Sequence, residues 1–146
     1  NGGTVYDAQI VDKIIAPDGT VVLEKQPVVA NRIDADPSYF AAIQEGMGDV
    51  TSREEGGTAS KYYEGIDYIA AKTGTSQRTK LDVENNAWQV AYAPKDDPKI
   101  VVVAYVQNGY SGAYTSPAII ATIQYYLQSL GYSESTEIGV EYSVAD

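Results

Sequence analysis

Three observations predict an α+β fold for this chain. Two β-prone runs flank a Pro-Asp-Gly turn near the start. Two later segments carry a helix-start signal followed by apolar residues at helical spacing. Three strand-like runs lie in succession between those helices. Sequential strands on short connections favour antiparallel pairing, because a parallel return needs a dozen or more residues. The expectation is an antiparallel sheet with packed helices, in a layered arrangement.

Each element has a local reason. Residues 10–15 and 20–25 surround Pro17-Asp18-Gly19 and read as a hairpin. Asp36 before Pro37 pairs a carboxylate N-cap with proline at the first helical position. Phe40, Ile43, Met47 and Val50 then predict one buried helical stripe. Residues 52–61 turn polar and glycine-rich, which predicts a loop. Residues 65–75 and 86–94 read as strands, with the connection 76–85 left ambiguous, and 94–98 as a turn. Residues 99–107, apolar on both faces, predict a central strand. Ser116-Pro117 repeats the cap-plus-proline signal, Ile120, Ile123, Leu127 and Leu130 form the next stripe, and Gly131 ends that helix. The division is therefore a folded part over 1–131 and an acidic, loosely held tail over 132–146.

Composition excludes several chemistries. With 20 acidic and 10 basic residues the net charge is −10, a surface that repels phosphate backbones and disfavours nucleic acid. No cysteine is present, hence no disulfide and no thiolate metal site. No histidine is present either, which removes a Ser-His-Asp triad and the commonest zinc ligand. Acid–base work falls to lysine, carboxylate or tyrosine. Asp96-Asp97 reads as a turn rather than a calcium site, and no cofactor is expected. The longest apolar run, 100–106, is far short of the ~20 residues a membrane-spanning helix needs. A start at Asn1-Gly2-Gly3, without methionine, reads as a fragment boundary.

The chemistry concentrates in Lys72-Thr73-Gly74-Thr75, at the end of an apolar strand-like run. Strand alternation sends Thr73 and Thr75 to one face and Lys72 to the other. Gly74 lets a ligand approach the backbone closely. Two hydroxyl donors beside an ammonium group suit a carboxylate. If the strand lies at a sheet edge, its free N–H groups can hold an extended peptide by strand addition, and one can stabilise an oxyanion of acyl transfer. The residues together describe a site for a peptide ending in a free carboxylate.

Lys-Thr-Gly is one of three motifs in penicillin-binding proteins and class A β-lactamases, the others being Ser-x-x-Lys and a Ser-x-Asn-like triplet. Here no serine has lysine three residues on or asparagine two residues on. The chain resembles the C-terminal part of the transpeptidase domain of class B penicillin-binding proteins. The resemblance runs in order through Asn1-Gly2-Gly3-Thr4, Pro17-Asp18-Gly19, the segment 40–48, Gly57-Thr58-Ala59, Ala71 to Gln77, Asn86-Ala87-Trp88, Tyr92-Ala93-Pro94, Asp96 to Lys99 and Asn108-Gly109. It implies the C-terminal portion of a β-lactamase/transpeptidase-like fold, incomplete without an N-terminal half that carries the nucleophile, further strands and a helix that 117–130 would pack beside.

The resemblance also implies roles. Lys72 helps bind the substrate carboxylate, and Thr73 and Thr75 hydrogen-bond the terminal carboxylate of a D-Ala-D-Ala stem peptide or a β-lactam. The Thr75 backbone N–H is one of two oxyanion donors. Trp88 and Gly57-Thr58-Ala59 match positions near the cleft, where core packing and a tight turn are equally good readings. Ala71, Ser76, Gln89 and Ala91 depart from the family's usual residues, and Gln89 puts the packing beside Trp88 in question. The implied parent is an extracytoplasmic D,D-transpeptidase, anchored to the bacterial membrane by a segment outside this chain. The isolated chain is expected to be inactive and to self-associate through uncovered surface. The alternatives are a β-lactam sensor and a non-catalytic extracytoplasmic peptide-binding or scaffold module, to which the 13 tyrosines would be suited.

Overall fold

A computed structural model describes residues 2–77 and 83–132. They belong to two compact units, Asn1–Glu45 and Gly46–Asp146. The acidic residues assigned to the tail lie outside the described residues.

In the first unit, strands β1 (Thr4–Tyr6), β2 (Lys13–Ile15), β3 (Val21–Glu24) and β4 (Val29–Arg32) form two antiparallel pairs, β1 with β4 and β2 with β3. The expected hairpin is the second pair, with Lys13 opposite Glu24 and Ile14 opposite Leu23. Its turn is built by Gly19 at φ +87° and by the Thr20 N–H donating to Asp18 Oδ1 at 2.9 Å. The pairing of β1 with β4 was not anticipated. Helix α1 (Pro37–Asp49) begins as predicted, the Ser38 N–H donating to Asp36 Oδ1 at 2.9 Å. That bond holds the Asp36 carboxyl below its ordinary pKa.

The predicted stripe on α1 needs correction. No α1 residue is buried: Phe40 and Met47 are half-buried and Ile43 is 60% exposed. Val50, one residue past the helix, does pack on the core of the second unit, so helical spacing overstated the burial within α1 itself.

The second unit holds the core. Strands β5 (Ala70–Ser76), β6 (Asn86–Ala93) and β7 (Ile100–Val106) form an antiparallel sheet in the order β5-β6-β7. The ambiguous connection is thus a hairpin, with Thr73 opposite Gln89 and Gly74 opposite Trp88. Strand β5 starts later than expected, at Ala70. Strand β7 was expected to be central and is instead at an edge among the described residues. Its residues Ile100, Val102 and Ala104 pack on the core, while Val101 and Val103 are 63% and 62% exposed.

Helix α2 (Ser116–Ser129) covers one face of the sheet, preceded by a short 3₁₀ turn (Gly112–Thr115). It buries Ile119, Ile123 and Leu127 against Ala71, Ala91 and Ala93. The buried stripe is therefore rotated from the predicted one: Ile120 is half-buried and Leu130 is exposed. The C-terminal signal holds fully. Gly131 takes φ +83°, its N–H donates to Gln128 O at 2.9 Å, and the Tyr132 N–H reaches Leu127 O at 3.1 Å, a Schellman closure. Ser116 does not cap the helix; its hydroxyl donates to the buried Gln89 side chain instead.

Candidate active-site strand

Strand β5 is the outer strand of its sheet, with no strand on its far side among the described residues. Register assigns the motif residues to faces. Thr73 and Thr75 sit opposite Gln89 and Ala87, on the face that α2 covers, while Lys72 and Gly74 sit opposite Val90 and Trp88 on the other face. Lys72 and Thr75 are exposed, and Thr73 is half-buried. The Lys72 ammonium donates to Thr73 O at 2.6 Å. A Cβ on Gly74 would stand 3.3 Å from Trp88 Cβ, a tight fit that favours glycine between the strands.

The threonine face is framed by two segments distant in sequence. Thr58 Oγ1 lies 3.0 Å from Thr73 Oγ1. The Gly112 N–H donates to Thr75 Oγ1 over a long 3.5 Å. Gly112 lies directly over the β5–β6 pair: a Cβ there would fall 2.2 Å from Trp88 O and 2.6 Å from Gly74 O. Only glycine fits that approach.

What holds Gly112 in place is a buried polar network around Gln89, which is 1% exposed. Gln89 Nε2 donates to Tyr63 Oη at 2.9 Å, and Gln89 Oε1 accepts from Thr115 Oγ1 at 2.9 Å and Ser116 Oγ at 3.0 Å. Burial pushes the Tyr63 hydroxyl pKa up, with the Ser116 and Gln89 contacts pulling the other way. Gln89 thus does not disturb Trp88, because the two point to opposite faces. Trp88 is not core: it is 43% exposed and its ring lies 4.4 Å from that of Tyr105. Among the described residues, no group of acidic residues could hold a metal ion and no helix is long and apolar enough to cross a membrane.

Of the residues on this face, the motif supplied Thr73 and Thr75. The resemblance puts Thr58 near the cleft without a role in it, and nothing in the sequence singles out Gly112. The contact from Gly112 to Thr75 spans 37 residues, a separation that no local pattern reports.

The family model for the penicillin-binding protein transpeptidase domain matches residues 1–124. The chain belongs to this family. Penicillin-binding protein 2A of Bacillus subtilis strain 168 is 34% identical over 133 residues, 79% of this chain and 18% of that protein. Peptidoglycan D,D-transpeptidase MrdA of Escherichia coli strain K12 is 32% identical over 111 residues, 66% of this chain and 17% of that protein. Penicillin-binding protein A from M. tuberculosis, solved as an imipenem acyl-enzyme complex, superposes with a TM-score of 0.68 at 29% identity, covering 88% of this chain and 28% of that one. The relatives and structural neighbours are class B penicillin-binding proteins, as the sequence resemblance implied. This penicillin-binding protein segment spans a minor share of each relative's length, and its α+β architecture with antiparallel sheets is that of a partial transpeptidase fold.

Proposed function

We propose that this segment supplies the substrate-binding wall of a peptidoglycan D,D-transpeptidase. The observation that carries the reading is an outer strand with two threonines on one face and a lysine on the other. In this reading Thr73 and Thr75 donate to the terminal carboxylate of a D-Ala-D-Ala stem peptide or a β-lactam, and Lys72 adds positive charge. Gly74 permits the close approach of Trp88, with Gly112 over its backbone, rather than an open path for ligand, and the Thr75 N–H is one of two oxyanion donors. The nucleophile comes from outside this chain, and the chain alone forms no acyl-enzyme, since none of its serines has a lysine three residues on. The parent acts outside the cytoplasm, tethered to the membrane by a segment not among these residues. The exposed apolar face of the sheet supports self-association of the isolated chain.

Intact-mass spectrometry after incubation with a reactive penicillin tests this reading, on the chain and on the full-length protein that contains it. An adduct on the full-length protein alone is expected, with its formation slowed at least tenfold by Thr73→Val together with Thr75→Val. An adduct on the isolated chain, or none on either, would overturn the reading. The second outcome would leave a non-catalytic module.

A further inference from the structure

The two threonines of the strand differ in what stands behind them. A hydroxyl has one proton to donate and two lone pairs to accept with, whereas a carboxylate only accepts. Thr75 is backed by the Gly112 amide, a group that can only donate, so its own proton is free to point outward. Thr73 is backed by another hydroxyl, that of Thr58 at 3.0 Å, and that contact can run in either direction. If Thr73 donates to Thr58, it has no proton left for a ligand. If Thr58 donates to Thr73, the Thr73 proton is available.

The loop that carries Thr58 is anchored at both ends. A Cβ on Gly57 would fall 2.1 Å from Asp49 O and 2.3 Å from Val50 O, so the loop is pressed against the chain that leaves α1. The Gly57 N–H donates to Ser52 O at 2.9 Å. Ala59 is fully buried and its N–H donates to Val50 O at 3.1 Å. At the base, the buried Thr51 hydroxyl lies 2.8 Å from both Gly48 O and Ile69 O, and Ile69 immediately precedes β5. The height of Thr58 over the strand is thus set by backbone contacts.

We propose that Thr58 is a positioning residue of the carboxylate site: by donating to Thr73 Oγ1 it turns the Thr73 proton toward the ligand. This rests on the reading of Thr73 and Thr75 as a carboxylate clamp. No bond is made or broken at Thr58, and its effect passes entirely through Thr73.

The test uses the full-length protein containing this segment, with acylation rates measured for a penicillin and for the same penicillin with its carboxylate masked as a methyl ester. Thr58→Val is expected to slow acylation by the free penicillin about tenfold while changing the ester rate less than about twofold. Thr58→Ser should restore the penicillin rate to within about twofold. Thr58→Val combined with Thr73→Val should be no slower than Thr73→Val alone, the non-additivity expected of residues acting in series. Equal slowing of both compounds by Thr58→Val, or additive losses in the double variant, would overturn the proposal. If Thr73→Val discriminates against the carboxylate and Thr58→Val does not, Thr58 has no such role and the clamp stands. If Thr73→Val itself fails to discriminate, the clamp and the proposal fall together.

Discussion

The two faces of the β5-β6-β7 sheet are built on opposite rules. On one, β5 and β6 bury small residues (Ala71, Ala87, Ala91 and Ala93) and a single long polar one, Gln89, under α2 and the turn before it, with Ile100, Val102 and Ala104 of β7 packed at the side. On the other, bulky apolar residues stand in solvent: Trp88 at 43% exposed, Val101 at 63%, Val103 at 62% and Tyr105 at 48%. Among the described residues the first face is closed, and no buried polar side chain lacks a hydrogen-bond partner. This face lets backbone approach backbone, as Gly112 does over Gly74. The second has the composition of a core without a covering layer. Small side chains are what allow a close-packed, positioned site, and exposed large ones are what leave a surface free to associate.

The comparison can be broken most severely at Gly112. Gly112→Ala forces a Cβ onto the Trp88 and Gly74 backbone oxygens and should cost at least ~3 kcal/mol in urea unfolding. A loss under about 1 kcal/mol would show that the turn lifts off freely and that the close approach is not structural. Next comes Gln89. Gln89→Leu removes the amide shared by the Tyr63, Thr115 and Ser116 hydroxyls, leaving Tyr63 and Ser116 only each other, and should destabilise by about 1–3 kcal/mol. Thr115 suffers less, since its hydroxyl also has Gly112 O within 2.8 Å.

Tyr63 gives a smaller, pH-dependent effect. Its folded pKa is raised mainly by burial, so the folded state holds the phenolic proton more tightly than the unfolded chain. The stabilisation is present in full below the unfolded pKa of about 10 and is lost as pH rises toward the folded value. Thermal melts of the wild type should therefore fall more steeply above about pH 10 than those of Tyr63→Phe. Parallel curves would remove Tyr63 as the cause. The smallest expected effect lies on the open face, where Val101→Lys with Val103→Lys should shift stability by less than about 0.5 kcal/mol per site. The same pair should abolish concentration-dependent mass in light scattering. A monomeric wild type at high concentration would show that this face does not drive association.

Most of the secondary structure was legible because its signals are local. The Pro-Asp-Gly turn, the Asp36-Pro37 helix start and the Gly131 stop each lie within a few residues of what they specify. The errors came where a non-local partner decided the outcome. Apolar residues on both faces of β7 are a statement about its faces, and they say nothing about how many strands lie beside it. Ser116 carried a capping signal, but a buried acceptor 27 residues away captured its hydroxyl. Lys72, Thr73, Gly74 and Thr75 were found as a motif because they are contiguous, whereas Thr58 and Gly112 reach the same face only through folding.

Trp88 is the only tryptophan in the chain, and it stands on the open face, directly opposite Gly74 of the motif strand. The molecule therefore carries a built-in optical probe with a known address. Its emission reports water leaving the open face, so a blue shift on concentrating the protein would mark that face closing. A carboxylate settling among the threonines, on the far side of the sheet, would leave the same signal in place. One spectrum, with no label attached, separates assembly from ligand capture.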